Sequence, residues 1–306
     1  MGKIIYTAII FALLAGVVFL INFLSTQNNK IVAQNNDTIK IITSILPQVD
    51  FVSRIGGDKV QVSEMIPPGF SPTSYDPSPA QLKKLQEAQL YIKIGYIPFE
   101  NAQMNRLALI NDKMVIVDSS KGVKLLNITA HSHGTSEDPS NGEETGIDPH
   151  IWLSPKQVKI QAKNIYEAFI AFKPEFSKEF TINYENFLND LDELDGELER
   201  AFLPIQGKTI LVFHPAFGYL ADAYGFYQEA IEIEGKDPSP AQLKEIIDEA
   251  KKDGINVIFV QAQFNDKSAK TIASEINGVV VRLDPLAPNY FDNMKKMADT
   301  IIYELK

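Results

Sequence analysis

The sequence predicts an α/β protein of two lobes, each with a small parallel β-sheet flanked by helices, the lobes joined by one long helix. Three observations lead there. Short apolar runs rich in β-branched residues alternate with helical patterns from Lys40 to Val117, and the same grammar restarts at Thr209. A parallel sheet with both faces covered reads this way. The heptapeptide DPSPAQL occurs at 76–82 and again at 237–243, which argues for two related lobes unless a good helix start has simply been used twice. Between the halves lies Lys156–Phe202, with few helix breakers beyond Pro174 and Gly196. The chain has 306 residues, room for two domains rather than one.

Residues 4–24 (IIYTAIIFALLAGVVFLINFL) carry no charge. As a helix they would run about 31 Å at about 1.5 Å per residue, matching a hydrocarbon core of about 30 Å. Lys3 would stay inside, so everything after the run is exported and extracytoplasmic. The run is either a cleaved signal peptide or an uncleaved membrane anchor. It exceeds the roughly 7–15 apolar residues of a signal, which favours the anchor, and Ile31-Val32-Ala33 is a weak cleavage site. Residues 25–37 are polar and complete the N-terminal segment 1–37 as a tether.

The first lobe, 38–155, opens with a strand at Lys40–Ile45 and a helix at Gln48–Ile55, stopped by Gly56-Gly57. A strand at Val60–Met65, a loop at Pro67-Pro68-Gly69, a helix at Pro79–Ala88, and strands at Leu90–Ile94 and Val115–Val117 follow. Ser78 and Ser239 are N-caps, Pro79 and Pro240 fit the first turn, and Gln81 and Gln242 complete capping boxes. Ser154-Pro155-Lys156-Gln157 reads as a third such start. The linking segment, 156–202, is helical, and Phe176, Phe180, Tyr184, Phe187, Leu191, Leu194 and Leu198, at three- and four-residue steps, form the apolar stripe of an amphipathic helix from Pro174 to Phe202. The second lobe, 203–306, has strands at Thr209–Phe213, Gln228–Ile233, Val257–Val260 and Val279–Leu283. Its helices are Tyr219–Tyr224, Pro240–Lys252, Lys267–Ile276 and Tyr290–Leu305.

Lys+Arg 29 against Asp+Glu 39 leaves a net charge of −10, a surface that repels phosphate backbones, so nucleic acid is not an expected partner. There is no cysteine, which excludes disulfides, thiolate metal sites, cysteine nucleophiles and cysteine-borne lipid anchors. The phosphate-loop, dinucleotide, H-E-x-x-H and G-x-S-x-G signatures are absent as well. A transition-metal site must then use imidazole and carboxylate. The four histidines are His131, His133, His150 and His214. His150 sits in Asp148-Pro149-His150-Ile151-Trp152, before a helix start. His214 follows the TILVF strand and Asp284 follows the VVVRL strand, where ligands of α/β sheets collect. Singly, these residues also read as a helix-capping histidine or an Asp-Pro turn; together they point to a site between the lobes. His131 and His133 lie in an acidic, Gly/Ser-rich loop that either captures cations weakly or is a solvated linker.

Several runs carry a further signal: Pro67-Pro68-Gly69, Tyr75-Asp76-Pro77-Ser78-Pro79, Asp148 to Pro155, Phe213-His214-Pro215-Ala216-Phe217-Gly218-Tyr219, Glu234-Gly235-Lys236 and Asp284-Pro285-Leu286. In order and spacing they resemble the periplasmic metal-binding proteins of zinc- and manganese-uptake ABC transporters, most closely the zinc branch, from about Ile41 to the end. The resemblance implies a metal site in the interlobe cleft and no enzymatic reaction. It maps the family's second and third ligand histidines onto His150 and His214 and its closing carboxylate onto Asp284. The third position is commonly glutamate in manganese binders, so zinc is favoured over manganese. The first ligand histidine falls on Thr73, a poor zinc donor, and the family's Glu-Pro-Gln-Phe run is here Gln261-Ala262-Gln263-Phe264. His131 and His133 would be a sparse form of the zinc branch's histidine-rich loop.

The expectation is a monomeric solute-binding protein, held at the membrane by its N-terminal segment, that captures zinc for an ABC permease. The alternatives are a degenerate relative acting as a surface interaction or adhesion protein, for which Thr73 speaks, and a zinc hydrolase, against which the lack of an evident general base speaks.

Overall fold

Two four-stranded sheets with the same strand order organise the computed structural model, which describes residues 38–129, 144–232 and 236–305. The first contains β1 (Ile39–Thr43), β2 (Val60–Glu64), β3 (Leu90–Lys93) and β4 (Val115–Asp118), in the order β2-β1-β3-β4. Its helices are α1 (Leu46–Gly56), α2 (Pro79–Glu87) and α3 (Pro98–Ile110). A short antiparallel pair, β5 (Asn127–Thr129) and β6 (Glu144–Ile147), follows. Then come α4 (Pro155–Phe172) and α5 (Ser177–Phe202). The second sheet contains β7 (Thr209–Val212), β8 (Tyr227–Ala230), β9 (Val257–Gln261) and β10 (Val279–Leu283), with α6 (Gly218–Tyr224), α7 (Pro240–Lys252), α8 (Lys267–Glu275) and α9 (Tyr290–Glu304).

The second sheet is ordered β10-β9-β7-β8, with its three pairings parallel. Read from its other edge it runs second, first, third, fourth strand, as the first sheet does. The two DPSPAQL copies begin α2 and α7, each between the second and third strands of its sheet. Both form the full capping box: Ser78 with Gln81, and Ser239 with Gln242. The repeat therefore marks equivalent places in two copies of one topology.

Local chemistry accounts for the differences from the sequence reading. Ser154 makes no side-chain cap; its carbonyl alone accepts from Gln157 and Val158. The linking segment is two helices, because Lys173 precedes a proline and leaves the helical region at φ −136°, ψ 72°. A 3₁₀ turn at Pro174–Phe176 follows, so the long helix begins at Ser177. Helix α3 was not anticipated; its sequence has no strong apolar stripe, and it buries only Phe99, Glu100 and Leu107. The β5–β6 pair was also not anticipated. Residues 1–37, His131 and His133 lie outside the described residues. Among the described residues no helix is long and apolar enough to cross a membrane.

Helix α5 has 26 residues, about 39 Å at about 1.5 Å per residue. It packs against α4, α1 and α9. Its Phe187 ring lies 5.8 Å from Phe51 of α1 and 6.0 Å from Phe291 of α9. Phe51 in turn meets Tyr290 edge-on at 4.9 Å. One helix thus braces the helices of both sheets.

Near the carboxyl end of the first sheet, Glu100 of α3 is buried. It accepts hydrogen bonds from Ile94 N–H (2.7 Å), Gly95 N–H (2.8 Å) and the Ser44 hydroxyl. These bonds tie the ends of β1 and β3 to α3 and hold the turn at Tyr96–Ile97. Gly95 has φ 102°, and a Cβ there would strike Ser120, so only glycine fits. Burial, outweighing the hydrogen bonds, pushes the Glu100 carboxyl from 4.5 up to about 8. The native state therefore holds a proton that the unfolded chain has lost, and stability falls as pH rises from about 4.5 to about 8. Urea unfolding at several pH values should show that decline in the wild type and a flatter profile in Glu100→Gln. Equal slopes would mean that the carboxyl is ionised in the fold.

Candidate metal centre

The loops that follow the strands of both sheets enclose a cavity of about 390 Å³. Tyr96–Pro98 enter after β3, Pro149 and His150 after β6, His214 after β7, Gln261–Phe264 at the end of β9, and Pro285 after β10. Parallel strands that all point one way deliver their following loops to one side, which is where α/β sheets bind ligands.

His150 and His214 meet there with ring centroids 5.2 Å apart and planes at 73°. Each ring is held by a buried carboxylate. The His150 backbone N–H donates to Asp148 Oδ1 at 2.9 Å, and its Nδ1 lies 2.7 Å from the same oxygen. His214 Nδ1 lies 3.1 and 3.2 Å from the two oxygens of Glu232. A carboxylate only accepts, so Nδ1–H is the donor in both rings and Nε2 is the nitrogen left for a cation.

Neighbouring groups fix the ring planes. Phe264 stacks on His214 at 4.7 Å and Trp152 flanks His150 at 5.1 Å. Gln261 donates from Nε2 to the His214 carbonyl (2.6 Å) and accepts the His214 N–H (3.3 Å). Burial lowers the His214 pKa below 6.5; His150 pushes the same way and Glu232 opposes. His214 is therefore neutral, the form that ligates a cation.

Asp284 follows β10, with its Oδ1 accepting from Gln263 Nε2 (2.7 Å) and Leu286 N–H (3.0 Å), both of which line the cavity. The Trp152 indole donates to the Pro285 carbonyl at 2.9 Å, joining the His150 segment to the Asp284 segment. Thr73 is on the cavity wall, its hydroxyl 2.8 Å from that of Ser71. Among the described residues no three histidine, aspartate or glutamate side chains already close round a metal ion. The structure thus brings His150 and His214 together, places Thr73 on the same wall, and sets Asp284 behind Gln263.

Sequence reasoning gave no role to Asp148, Glu232 or Gln261. Asp148 was visible two residues before His150, within reach of its ring. Glu232 was visible as an acid at the end of a strand, although that strand stops at Ala230, earlier than expected. Gln261 was visible only as the residue standing where the family has a glutamate, with no sign of its bonds to His214.

The family model for zinc-uptake complex component A, periplasmic (ZnuA), matches residues 41–303. Zinc-binding protein AdcA of Streptococcus pyogenes serotype M3 is 27% identical over 297 residues, covering 90% of this chain and 57% of AdcA. The chain thus spans little more than half the length of that relative. High-affinity zinc uptake system protein ZnuA of Bacillus subtilis strain 168 is 27% identical over 284 residues, 87% of each chain. A crystal structure of ZnuA superposes with a TM-score of 0.81 at 36% identity, covering 88% of this chain and all of that one.

Gly218, the first residue of α6, lies against the Asp148 carboxylate, and a Cβ there would collide with Oδ2. Gly218→Ala should push Asp148 off the His150 ring. Loss of such a ring partner costs about 10–100-fold in metal affinity, so zinc titration of this variant should show a drop of about tenfold or more. Unchanged affinity with an unchanged far-ultraviolet spectrum would mean that Asp148 does not set the ring.

Proposed function

The chain belongs to the zinc-uptake complex component A family, and on that premise we propose that it is an extracytoplasmic solute-binding protein that captures zinc and delivers it to an ABC permease. The observation that carries the reading is the pair of adjacent imidazoles, each with a carboxylate on Nδ1, which leaves Nε2 as the nitrogen for an ion. His150 and His214 supply two nitrogen donors and Asp284 an anionic oxygen, a set that suits zinc. Histidine rather than a carboxylate at position 214 favours zinc over manganese, which prefers oxygen. The ion is cargo and no bond is made or broken, so the protein is a carrier and not an enzyme.

In this reading 38–155 and 203–306 are the two lobes and 156–202 their link, while residues 4–24 keep a monomer at the membrane. Trp152 is the sole tryptophan. Its ring lies 5.1 Å from that of His150, so its fluorescence reports what happens at the site.

Titration of the chain with zinc, followed by calorimetry and by Trp152 fluorescence, tests the ligands. His150→Ala, His214→Ala and Asp284→Ala should each weaken binding by about tenfold or more, since each removes one of few strong donors. The double histidine variant should bind too weakly to measure. If it binds zinc as the wild type does, the site lies elsewhere.

A further inference from the structure

The repeat that marks the two sheets extends one residue further: Asp76–Lys83 and Asp237–Lys244 both read DPSPAQLK. Resting on the zinc-delivery reading above, we propose that these two segments are a matched pair of docking surfaces for a permease built from two copies of one subunit, each subunit holding one segment.

The first observation is that the fold does not require the whole identity. The capping boxes account for Ser78, Pro79 and Gln81, and for Ser239, Pro240 and Gln242. Leu82 and Leu243 are half-buried, and Leu243 packs on the core of the second sheet. Asp76, Ala80 and Lys83 are exposed, as are Asp237, Ala241 and Lys244, and none of them belongs to a cap or a core. Their surroundings differ: Asp76 lies 3.5 Å from the Arg106 guanidinium, whereas Asp237 accepts from the Ser268 hydroxyl at 3.0 Å. Identity stops at once beyond the segment, where Lys84-Leu85-Gln86-Glu87 corresponds to Glu245-Ile246-Ile247-Asp248. Shared descent alone would not confine identity to this stretch. The same exposed residues in different surroundings point to one external surface met twice.

The second is placement. Each segment opens a helix that follows the second strand of its sheet, at the carboxyl end that borders the cavity. Thr73, on the cavity wall, stands three residues before Asp76, and Glu232, which holds His214, stands five before Asp237. A partner that grips both segments therefore reaches the loops that surround the cargo.

The third is chemistry. Ser78 and Gln81 bond each other's backbone N–H, as do Ser239 and Gln242, so neither helix start is left open as an anion site. What each segment turns outward is an acid, a small alanine and a base in fixed order. A two-fold oligomer offers the same surface twice. Each of its subunits then meets one segment, with a basic group opposite the aspartate and an acidic group opposite the lysine.

Photo-crosslinking from the full chain tests the occupant. A benzophenone amino acid at Ala80 or at Ala241, in cells that rely on this chain for zinc, should join the same integral-membrane subunit from either position, as identified by mass spectrometry of the product. Asp76→Lys and Asp237→Lys set a like charge against the partner. Each should cut uptake of radioactive zinc about tenfold and the pair about a hundredfold, as separate contacts add, while calorimetric zinc affinity stays that of the wild type. Ala80→Arg and Ala241→Arg, which keep both aspartates, should act in the same way. A crosslink from one position only, a different partner at each, loss of uptake at one segment alone, or full uptake in the double variant would overturn the proposal and leave zinc capture intact. A wild-type chain that binds no zinc would overturn both.

Discussion

The site depends on two imidazoles meeting edge to face, each locked by a carboxylate that is itself out of water. A histidine on a flexible loop samples many ring orientations, and a cation must pay to select one. Here Asp148 and Glu232 fix the tautomer and the ring plane before any cation arrives. The carboxylates also supply negative potential in a poorly solvated place, where it acts strongly. Buried anions are costly without partners. Each carboxylate therefore depends on its imidazole as much as the imidazole depends on it.

That pairing needs the segment after β6 and the second sheet to arrive together. His150 comes from the segment between β6 and α4, whereas His214, Glu232 and Gln261 come from the ends of β7, β8 and β9. The same topology built twice presents the carboxyl ends of both sheets to one cavity. Helix α5 keeps them there through the Phe51–Phe187–Phe291 contacts. Direct bonds then close the arrangement: Trp152 to the Pro285 carbonyl, and Leu126 N–H to the Tyr219 hydroxyl at 3.0 Å. Gly218 lets the Asp148 carboxylate approach α6 where a side chain would block it.

Much of this was legible in the chain because the physics is local. Ser-Pro-x-Gln dictates a capped helix wherever its neighbours allow, and both DPSPAQL copies form it. Ser154 shows the limit, since the same letters left its hydroxyl out of the cap. Strands buried on both faces, such as β3 and β9, declared themselves as apolar runs, and the rule that ligands gather past strand ends singled out His214, which the structure places on the cavity wall, and Asp284, which it places beside Gln263. Helix α3 escaped because only a few of its residues face the core, so no stripe marks it. The partners of the histidines escaped for another reason. Glu232 is 18 residues from His214 and Gln261 is 47, and only strand pairing brings them together. Family resemblance suggested ligand positions and marked Gln261 as a departure, but the contacts of Asp148, Glu232 and Gln261 came from geometry.

The two carboxylate-backed imidazoles are the proposed nitrogen ligands of the captured ion. X-ray absorption at the zinc edge counts imidazoles directly, through the outer-shell scattering of their rings. For the chain loaded with one equivalent of zinc in an inorganic buffer, the account predicts two imidazole nitrogens at about 2.0–2.1 Å, with oxygens completing the sphere. A spectrum of oxygen ligands alone, or of more than two imidazoles, would contradict it.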